Sequence, residues 1–385
     1  MSAARRPLLL YITDAEGLGG AEGYLRTLLL HADQGVYRLG LLLPPRPATQ
    51  PLVDLARAHG MQVTFLDAVH DVGLSINAIF RATAVLRRLR PAIVHFVLSS
   101  PRRCAETVIA AWLAGIPQRL ITFQLVTPVP RFGRLAGWAR GLNRRLQYRS
   151  VHQGIAVSAG NRRLLIEQYG FPAARLALIP NGVDTCLFRP RPGDGLLRAQ
   201  WRVPPGVPLL GVVGRLSRQK GHATLFAALP RVWAAYPEAH VVLVGAGDLE
   251  ESLRMQAAQL DPHGRIHFAG RQEQMPEVLA ALDVFVLPSL YEGLSFAVLE
   301  AMAMERAIVA TAVDGTVEVL EHERTGLLVP PGEPEPLAAA IIRLLGDGPL
   351  RTMFGHAARQ VVVERFEQRQ MLERTFGLYA RWPSR

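Results

Sequence analysis

Two cations stand five residues apart in the segment VVGRLSRQKGHATL, which covers residues 212–225. Arg215 follows an apolar run that predicts a strand, and Lys220 precedes a stretch with helical spacing. Fixed cations at the end of a buried strand suit a pyrophosphate leaving group, on which negative charge grows during reaction. Lys220 is the one lysine among 43 basic residues, so a compact ammonium is favoured there. The alternative is a solvated basic turn, which is the role expected of Arg218.

Two glutamates, Glu292 and Glu300, bracket the predicted start of a helix. A buried strand is expected to end near Pro288, and the helix to begin near residues 294–295. Backbone N–H groups at a helix start attract phosphate, and Glu300, over a turn further along, would accept hydrogen bonds from neighbouring ribose hydroxyls. Its neighbours are nearly all apolar, so its carboxylate requires a partner. The amides assigned to the diphosphate are those of Gly293, Leu294, Ser295 and Phe296.

Glycines and acids follow the first apolar run, in the segment TDAEGLGGAEGYL at residues 13–25. Gly19 and Gly20 allow a tight turn before a predicted helix start, which would attract phosphate. A glycine turn without a ligand is the alternative, and the spacing differs from the G-x-G-x-x-G dinucleotide fingerprint. Asp14 and Glu16 have the spacing to hold a divalent metal, but capping or solvated carboxylates are favoured, and no metal is expected.

Short apolar runs alternate with amphipathic stretches throughout the 385 residues, a pattern typical of strand–helix–strand units around parallel sheets. The pattern restarts near residue 209, after a stretch rich in proline and glycine at residues 188–195. A chain of this length has room for two domains with complete cores. We therefore predict two doubly wound α/β domains, with ligands bound beyond the carboxyl ends of the strands.

Composition restricts the class of protein further. With 49% hydrophobic residues the chain is too apolar for intrinsic disorder. No apolar run approaches the length of about 18 residues that a membrane span needs, and the apolar stretch near the start is too short for a signal peptide. Two cysteines, Cys104 and Cys186, make no disulfide framework, so the reducing cytoplasm is the expected compartment.

The net charge of +11 is concentrated in one half of the chain. Residues 1–185 hold 22 arginines and 10 acidic residues, whereas residues 186–385 hold 21 basic and 22 acidic ones. Residues 77–149 contain 13 arginines and a single acid, Glu106. This imbalance predicts an anionic partner, which would be a membrane surface, a nucleic acid or an acidic substrate.

Within this basic region, Arg131–Arg149 contains six arginines, no acid, and apolar residues at three- and four-residue steps. The pattern predicts a basic amphipathic helix lying on an anionic membrane surface. An ordinary surface helix whose apolar stripe faces the core is supported equally well. Nucleic acid is not expected as a partner, because no reader motif or base-stacking platform accompanies the arginines.

Four short motifs occur in order along nearly the whole chain. They are GGAE at 19–22, PNGVD at 180–184, G-R-L-x-x-x-K-G around Lys220, and E-x7-E at Glu292 and Glu300. In combination they resemble the retaining glycosyltransferases of family 4. The resemblance implies the GT-B fold, in which two Rossmann-like domains face each other across a cleft and the C-terminal helix returns to the N-terminal domain.

The resemblance also implies a reaction and a division of the chain. A sugar would move from a nucleotide-diphosphate sugar, carrying UDP or GDP, to a hydroxyl of a glycan or lipid-linked acceptor in bacterial envelope or exopolysaccharide synthesis. No metal and no further cofactor is implied. The acceptor domain would cover residues 1–187, a linker 188–206, and the nucleotide-sugar domain 207–360, with the returning helix at 361–385.

On this resemblance, residues after two strands of the second domain contact the donor. Arg215 and Lys220 would bind its diphosphate, and Glu300 its ribose. Glu292 and the amides of Gly293–Phe296 would hold the sugar and the distal phosphate.

The remaining contacts implied by the family come from both domains. The base would lie near Arg271, and Gly19 and Gly20 would approach the phosphates. The anomeric configuration would be kept because the leaving phosphate oxygen removes the proton of the acceptor hydroxyl on the same face of the sugar. The protein would then act by electrostatic stabilisation and exclusion of water.

The sequence departs from the family pattern at two positions, and a third residue is a candidate to replace one of the missing side chains. Gln124 stands where the family usually has a histidine near the reacting sugar, and glutamine forms hydrogen bonds but does not titrate. His95, at the end of the predicted strand AIVH, is a candidate to replace that histidine, although a satisfied core histidine is at least as well supported. Asp314 stands where glycine is more usual, and it would alter the donor pocket.

Two other functions remain open on the sequence. A nucleotide-sugar 2-epimerase of the same fold would lack an acceptor surface and release a free sugar. A non-catalytic, nucleotide-binding protein that docks to membranes would keep the phosphate loops without turnover. A transferase and a docking protein of this kind are both expected in the cytoplasm. If the basic segment docks on a membrane, the expected place is the inner face of the cytoplasmic membrane.

Overall fold

The computed structural model describes residues 6–15, 19–67, 75–129, 147–193 and 195–380. The chain forms two compact units. Unit 1 comprises the described residues up to Pro180 together with those from Met371 onward, and unit 2 comprises Asn181–Gln370.

Unit 1 is built on a parallel sheet of seven of the described strands, in the order β3-β2-β1-β4-β5-β6-β7. Most of these strands are apolar along their whole length, because helices cover both faces of such a sheet. The strands are β1 (Leu8–Thr13), β2 (Arg38–Leu43), β3 (Gln62–Phe65), β4 (Ile93–Leu98), β5 (Gln118–Phe123), β6 (Gln153–Ala156) and β7 (Leu176–Leu178). The helices between them are α1 (Gly20–His31), α2 (Gln50–Ala58), α3 (Ile76–Leu89), α4 (Ala105–Leu113) and α5 (Ala159–Glu167).

Unit 2 repeats this plan with six of the described strands, in the order β10-β9-β8-β11-β12-β13, all parallel. The strands are β8 (Leu209–Val213), β9 (His240–Val244), β10 (Ile266–Gly270), β11 (Val284–Leu287), β12 (Ala307–Thr311) and β13 (Leu327–Val329). The helices are α6 (Leu196–Gln200), α7 (His222–Ala235), α8 (Glu250–Leu260), α9 (Met275–Ala280), α10 (Phe296–Ala303), α11 (Pro334–Gly346) and α12 (Gly348–Arg365). The prediction of two doubly wound α/β domains is confirmed.

Both sheets have the strand order of a Rossmann fold, in which the order reverses beside the first strand. The reversal lies between β1 and β4 in unit 1 and between β8 and β11 in unit 2. In such sheets the loops that leave the two strands separate at the reversal and open a crevice at their carboxyl ends. The strand order of each unit therefore predicts one place for a ligand, at the carboxyl ends of the two strands beside the reversal.

The last helix, α13 (Gln368–Ala380), carries the chain from unit 2 back into unit 1. Its Tyr379 hydroxyl lies 2.6 Å from Nδ1 of His95, and its Leu378 carbonyl accepts a hydrogen bond of 2.8 Å from Gln118 Nε2. The helix is thus part of the folded core of unit 1, as the family resemblance implies.

The segment 188–206, predicted as a linker, packs on unit 2. It contains α6, and Trp201 at the end of that helix is 6% exposed. Arg198 donates to Asp283 Oδ2 at 2.7 Å and to the Ala281 carbonyl at 2.8 Å. These bonds attach the segment to the start of β11.

Candidate phosphate-binding site

The segments predicted to bind phosphate leave the two strands at the reversal point of unit 2. The loop with Arg215 and Lys220 follows β8, and the loop with Glu292 follows β11. Hydrogen bonds between β11 and β8 hold the two strands side by side. The sheet therefore brings together residues that lie more than 70 positions apart in the sequence.

Glycine allows the two loops to touch. Lys220 ends a 3₁₀ turn, and Gly221 follows in the left-handed region with φ of 66°, just before α7 begins. A Cβ atom on Gly221 would lie 1.9 Å from the carbonyl oxygen of Pro288, at the end of β11. Any other residue would push the loops apart, so this position requires glycine on both steric and conformational grounds.

Lys220 and Glu292 form an ion pair across the two loops, with 2.5 Å between Nζ and Oε1. The same carboxylate oxygen accepts a hydrogen bond of 2.7 Å from Ser289 Oγ. Glu292 is 5% exposed, so its charge depends on these donors. The sequence assigned Lys220 to phosphate and Glu292 to sugar; the structure places their charged groups against each other.

Gln219 connects the cations with the carboxylate, and the sequence analysis did not single it out. Its Nε2 donates to Glu292 Oε2 at 3.3 Å and to the Tyr291 carbonyl at 3.0 Å, while its Oε1 accepts from Arg215 Nη2 at 3.4 Å. The residue is 7% exposed. An amide serves here because it donates on one side and accepts on the other. Its place between the two basic residues of the motif was the available signal.

The start of α10 faces the same loops. Ser295 precedes the first turn in an extended conformation and makes no side-chain cap. The first N–H groups of a helix have no partner within the helix, so those of α10 are open to an anion. Two backbone contacts fix the approach: Asn181 Nδ2 donates to the Leu294 carbonyl at 2.9 Å, and a Cβ on Gly315 would lie 1.5 Å from the Gly293 carbonyl.

Glu300 lies one turn further along α10; the residues on either side of it are buried, whereas Glu300 itself is half-buried. Burial raises the pKa of its carboxyl from 4.5 to about 7. No hydrogen bond from a described residue reaches this carboxylate. A carboxylate in this position accepts a hydrogen bond from any donor that reaches it, and the contact with a ribose hydroxyl stays a prediction.

His222, the first residue of α7, also lies beneath this loop and is 2% exposed. Burial, and then the charge of Lys220, lower its pKa to about 4. The imidazole is therefore neutral at physiological pH and adds no charge to the cations of the loop, which are Arg215, Arg218 and Lys220.

Asp14 of unit 1 is occupied by a structural role. It follows β1 directly, is 1% exposed, and accepts hydrogen bonds from the Ser99 backbone N–H at 2.9 Å and from Ser99 Oγ at 2.5 Å. Arg103 Nε lies 3.7 Å away, and burial raises the pKa of the carboxyl. Asp14 thus joins the loops after β1 and β4, and it is neither the solvated carboxylate nor the helix cap that the sequence analysis favoured. Glu16 lies outside the described residues, and within them no three potential ligands cluster as a metal site requires.

The glycines after β1 adopt the expected local structure. Gly19 precedes α1 in an extended conformation, and Gly20 is the first residue of the helix. The helix start carries no side-chain cap. Whether it contacts a ligand stays a prediction.

His95 does not lie where the sequence analysis placed it. It occupies the interior of β4 rather than its end, is fully buried, and has Thr122 Oγ1 2.7 Å from Nε2 and Tyr379 on Nδ1. Burial lowers its pKa to about 3. The suggestion that His95 contacts the sugar is therefore corrected: it is a satisfied core histidine, because α13 covers the strand on which it stands.

Three further predicted positions are placed individually. Gln124 directly follows β5, at the carboxyl edge of the sheet of unit 1, and is 8% exposed. Arg271 follows β10 and is exposed; β9 separates its strand from β8. Asp314 begins a 3₁₀ turn after β12. Their contacts with a ligand stay predictions.

The amphipathic segment Arg131–Arg149 lies outside the described residues except for its last three positions. In the part of the chain that the structure covers, every helix is too short or too polar to cross a bilayer.

Comparisons with known proteins show which family models, relatives and solved structures this chain resembles. A model of "Glycosyltransferase Family 4" matches residues 18–186, and one of "Glycosyl transferases group 1" matches residues 207–347. The alpha-maltose-1-phosphate synthase of Mycolicibacterium smegmatis is 32% identical over 292 residues, which are 70% of this chain and 74% of the relative. The phosphatidyl-myo-inositol mannosyltransferase of the same organism is 37% identical over 208 residues, 53% of this chain and 50% of the relative.

The chain thus spans between half and three quarters of the length of these two curated relatives. Among solved structures, that of Anabaena HepE in complex with UDP superposes with a TM-score of 0.79 at 22% identity, covering 97% of this chain and all of that one. This likeness concerns the fold.

Proposed function

This chain belongs to glycosyltransferase family 4, and from that premise we propose that it transfers a sugar from a nucleotide-diphosphate sugar to an acceptor hydroxyl with retention of anomeric configuration. One observation carries the proposal. At the reversal point of unit 2, the loop after β8, which carries Arg215 and Lys220, touches the loop after β11, which leads into the uncapped start of α10. Cations and free N–H groups in that arrangement suit a diphosphate.

We propose that the donor diphosphate takes the place of Glu292 beside Lys220. The Lys220 ammonium pairs with the Glu292 carboxylate, with 2.5 Å between Nζ and Oε1. When phosphate oxygens compete for Lys220, Glu292 keeps its bonds from Ser289 and Gln219 and gains a free acceptor for a sugar hydroxyl. The ion pair would thus keep both groups positioned until the donor arrives.

The proposed chemistry needs little from the protein beyond charge. The bond between the anomeric carbon and the diphosphate oxygen breaks, and its electron pair stays on the diphosphate. The acceptor oxygen bonds to that carbon on the same face, and its proton passes to the departing phosphate oxygen. Lys220, Arg215 and the N–H groups of α10 would stabilise the negative charge that grows there, without a metal ion.

Several finer parts of the proposal rest on likeness alone. UDP or GDP is proposed as the nucleotide, since HepE binds UDP and relatives of this chain include mannosyltransferases described as GDP-mannose-dependent. We propose that Glu300 holds the ribose, that the base lies near Arg271, and that Gly19 and Gly20 approach the phosphates. The acceptor is proposed to be a glycan or lipid-linked hydroxyl bound by the first domain, residues 1–187, in envelope or exopolysaccharide synthesis.

We also propose a function for each of the other parts of the chain. Residues 207–360 would bind the nucleotide sugar, after the segment 188–206, and residues 361–385 would complete the first domain. The protein would work in the cytoplasm, with Arg131–Arg149 facing the inner surface of the cytoplasmic membrane.

The test is a thermal-unfolding screen against UDP, GDP, ADP, CMP and their common sugars, followed by product analysis. A ligand that binds only the folded protein raises its unfolding temperature, and at equal concentration the tighter ligand raises it more, so the preferred nucleoside diphosphate will stand out over CMP. With that donor and an acceptor, the one-bond coupling between the anomeric carbon and its proton in the NMR spectrum of the product reports the configuration. The proposal fails if no nucleoside diphosphate stabilises the protein or if the product is inverted. A free, epimerised sugar would favour the epimerase.

A further inference from the structure

The motif PNGVD, at residues 180–184, supplies none of the proposed donor contacts. Its Asn181 is the first residue of unit 2 and is 1% exposed. The side chain reaches the loop after β11, where Nδ2 donates to the Leu294 carbonyl at 2.9 Å, across 113 positions of the sequence. Asn181 therefore binds the backbone just before α10, the helix whose first N–H groups are proposed to hold the donor diphosphate.

The rest of the motif anchors the backbone of Asn181. A Cβ on Gly182 would lie 2.8 Å from Cα of Gln368, so glycine permits the close approach of these two chain segments. The Val183 N–H donates to the Phe366 carbonyl at 2.9 Å, and the Val183 carbonyl accepts a bond of 3.0 Å from the Gln368 N–H. The side-chain amide of Asn181 thus extends from a backbone that is held on both sides of Val183.

The bond from Asn181 also fixes the direction of an N–H group. A planar trans peptide joins the Leu294 carbonyl to the N–H of Ser295, and the two groups point in opposite directions. Because Asn181 holds the carbonyl, the Ser295 N–H points away from Asn181. Within the ranges that the structure describes, this N–H donates to no protein acceptor. It is therefore held in one direction and left open to an acceptor on a ligand.

The preceding peptide is restrained by packing rather than by a hydrogen bond. Gly315 lies in the 3₁₀ turn after β12. A Cβ on this residue would lie 1.5 Å from the Gly293 carbonyl oxygen and 3.1 Å from Cα of Leu294. The turn therefore occupies the space into which the Gly293 carbonyl would rotate. Each of the two peptides before Ser295 thus has its own restraint.

We infer that Asn181 is a positioning residue for the donor diphosphate, because it aims the Ser295 N–H at a phosphate oxygen. Asn181 itself does not touch the donor. An N–H that is already oriented binds an anion without the cost of ordering the backbone, so loss of the restraint weakens binding although the N–H is still present. The inference rests on the proposed function, since it takes a diphosphate as the ligand at α10.

The test measures the affinities of inorganic pyrophosphate, UDP and GDP for the whole chain and for Asn181→Leu by calorimetric titration. Leucine keeps the branched shape of asparagine but has no N–H to donate to the Leu294 carbonyl. The affinity for pyrophosphate and for the preferred nucleoside diphosphate is expected to fall about tenfold. The factor should be the same for both ligands, because both lose the same oriented N–H.

The matched control is Trp233→Phe, which removes a bond of the same kind and length elsewhere in unit 2. There Trp233 Nε1 donates to the Ala239 carbonyl at 2.9 Å. This variant should have a lower unfolding temperature and the affinities of the parent. A second variant, Asn181→Asp, keeps the size of the side chain and places an oxygen against the Leu294 carbonyl, so it should weaken binding at least as much as Asn181→Leu. Unfolding temperatures will show that each variant folds.

A spectroscopic measurement separates positioning from stability. In protein labelled with 15N-serine, the Ser295 amide proton should move downfield when pyrophosphate binds to the parent, and should move less in Asn181→Asp. Ser295→Ala removes the label at this position and so identifies the signal. If Asn181 only stabilised the fold, the shift at saturating pyrophosphate would be the same in the parent and in Asn181→Asp.

Two results would overturn the inference. In one, both Asn181 variants bind pyrophosphate and the preferred nucleoside diphosphate as the parent does; in the other, they lose no more affinity than Trp233→Phe. Either result leaves the proposed function standing, because the parent still binds its donor diphosphate. If the parent itself binds none of the three ligands, the proposed function falls and takes the inference with it.

Discussion

The two units use the same topological position for different purposes. At the reversal point of unit 1, Asp14 turns inward and accepts two hydrogen bonds from Ser99. At the reversal point of unit 2, Lys220 meets Glu292 across the loops, and Arg215 remains exposed on the same loop. One position is closed by an acid bonded to the neighbouring loop, while the other holds cations.

The sheet topology decides where the two loops separate, and the side chains decide whether the gap between them is closed or open to a ligand. Parallel strands whose order reverses always separate two loops at their carboxyl ends. In unit 1 the acid spans that gap and bonds the loops together, so it is committed to stability. In unit 2 the loops are joined by glycine contacts and a side-chain amide, which leaves the ammonium able to exchange partners. Donor binding is therefore expected of unit 2.

The largest expected effect comes from removing the cation of unit 2. Lys220→Ala should lower the turnover of sugar transfer about 100- to 1,000-fold, as loss of a group that stabilises transition-state charge does. Steady-state rates of nucleoside diphosphate release will measure it. Arg218→Ala is the matched control, because Arg218 is an exposed cation two residues away, and its turnover should stay near that of the parent. Equal losses of turnover in Lys220→Ala and Arg218→Ala would contradict the proposal that Lys220 stabilises the charge on the leaving diphosphate.

Glu300 provides a pH-dependent test of the same site. Its folded-state pKa of about 7 lies above the ordinary value of 4.5, so the folded protein favours the protonated form. The resulting stability is complete below about pH 4.5 and is lost as pH rises through 7, by up to about 3 kcal/mol at about 1.4 kcal/mol per pKa unit. Glu300→Gln should therefore be more stable than the parent at pH 8 and equal to it at pH 4, in denaturant titrations. A constant difference across this range would show that the carboxyl is not buried as described.

Removing the acid of unit 1 should affect stability and leave the donor site intact. Asp14→Ala leaves the buried Ser99 N–H without its acceptor and should lower the free energy of unfolding by about 2 kcal/mol. The rise in unfolding temperature caused by a saturating nucleoside diphosphate should match that of the parent. If Asp14→Ala instead abolished that rise, Asp14 itself would contribute to donor binding.

The smallest expected effect is at Gln219, which positions Arg215 and Glu292 without a charge of its own. Gln219→Met keeps the side-chain length but removes the donor and acceptor, and should raise KM for the donor about tenfold, about 1.4 kcal/mol, because the hydrogen bonds that position Arg215 and Glu292 are lost. Gln219→Glu places a second carboxylate against Glu292 and should raise KM by more, because the like charges repel. An unchanged KM in both variants would reduce Gln219 to a packing residue.

Local patterns predicted the strands because the strands of such sheets are apolar along their length. The run LLLYIT became β1, and the runs before Arg215 and Glu292 became β8 and β11. Glycine and helix-start signals likewise placed the loops of unit 2. These features depend on neighbours within a few residues, so a sequence displays them directly.

Contacts between distant residues were beyond such reasoning. The ion pair of Lys220 with Glu292 joins positions 72 residues apart, and only the pairing of β8 with β11 brings them together. His95 looked like the last residue of the strand AIVH because it is polar, although the apolar run continues beyond it to Leu98. Its true environment depends on Tyr379, which is 284 residues away. Asp14 was recognisable as an acid after a strand, but not as the acceptor for Ser99.

The return of α13 has a consequence for how the protein is made. A ribosome delivers unit 2 in full before it delivers Met371, so unit 2 can close first while unit 1 waits for its final helix. Until Tyr379 emerges, the imidazole on β4 lacks one of its two partners, and the sheet around it stays open to water. A message cut short near codon 370 would therefore encode every residue of unit 2, but a unit 1 without the helix that covers His95.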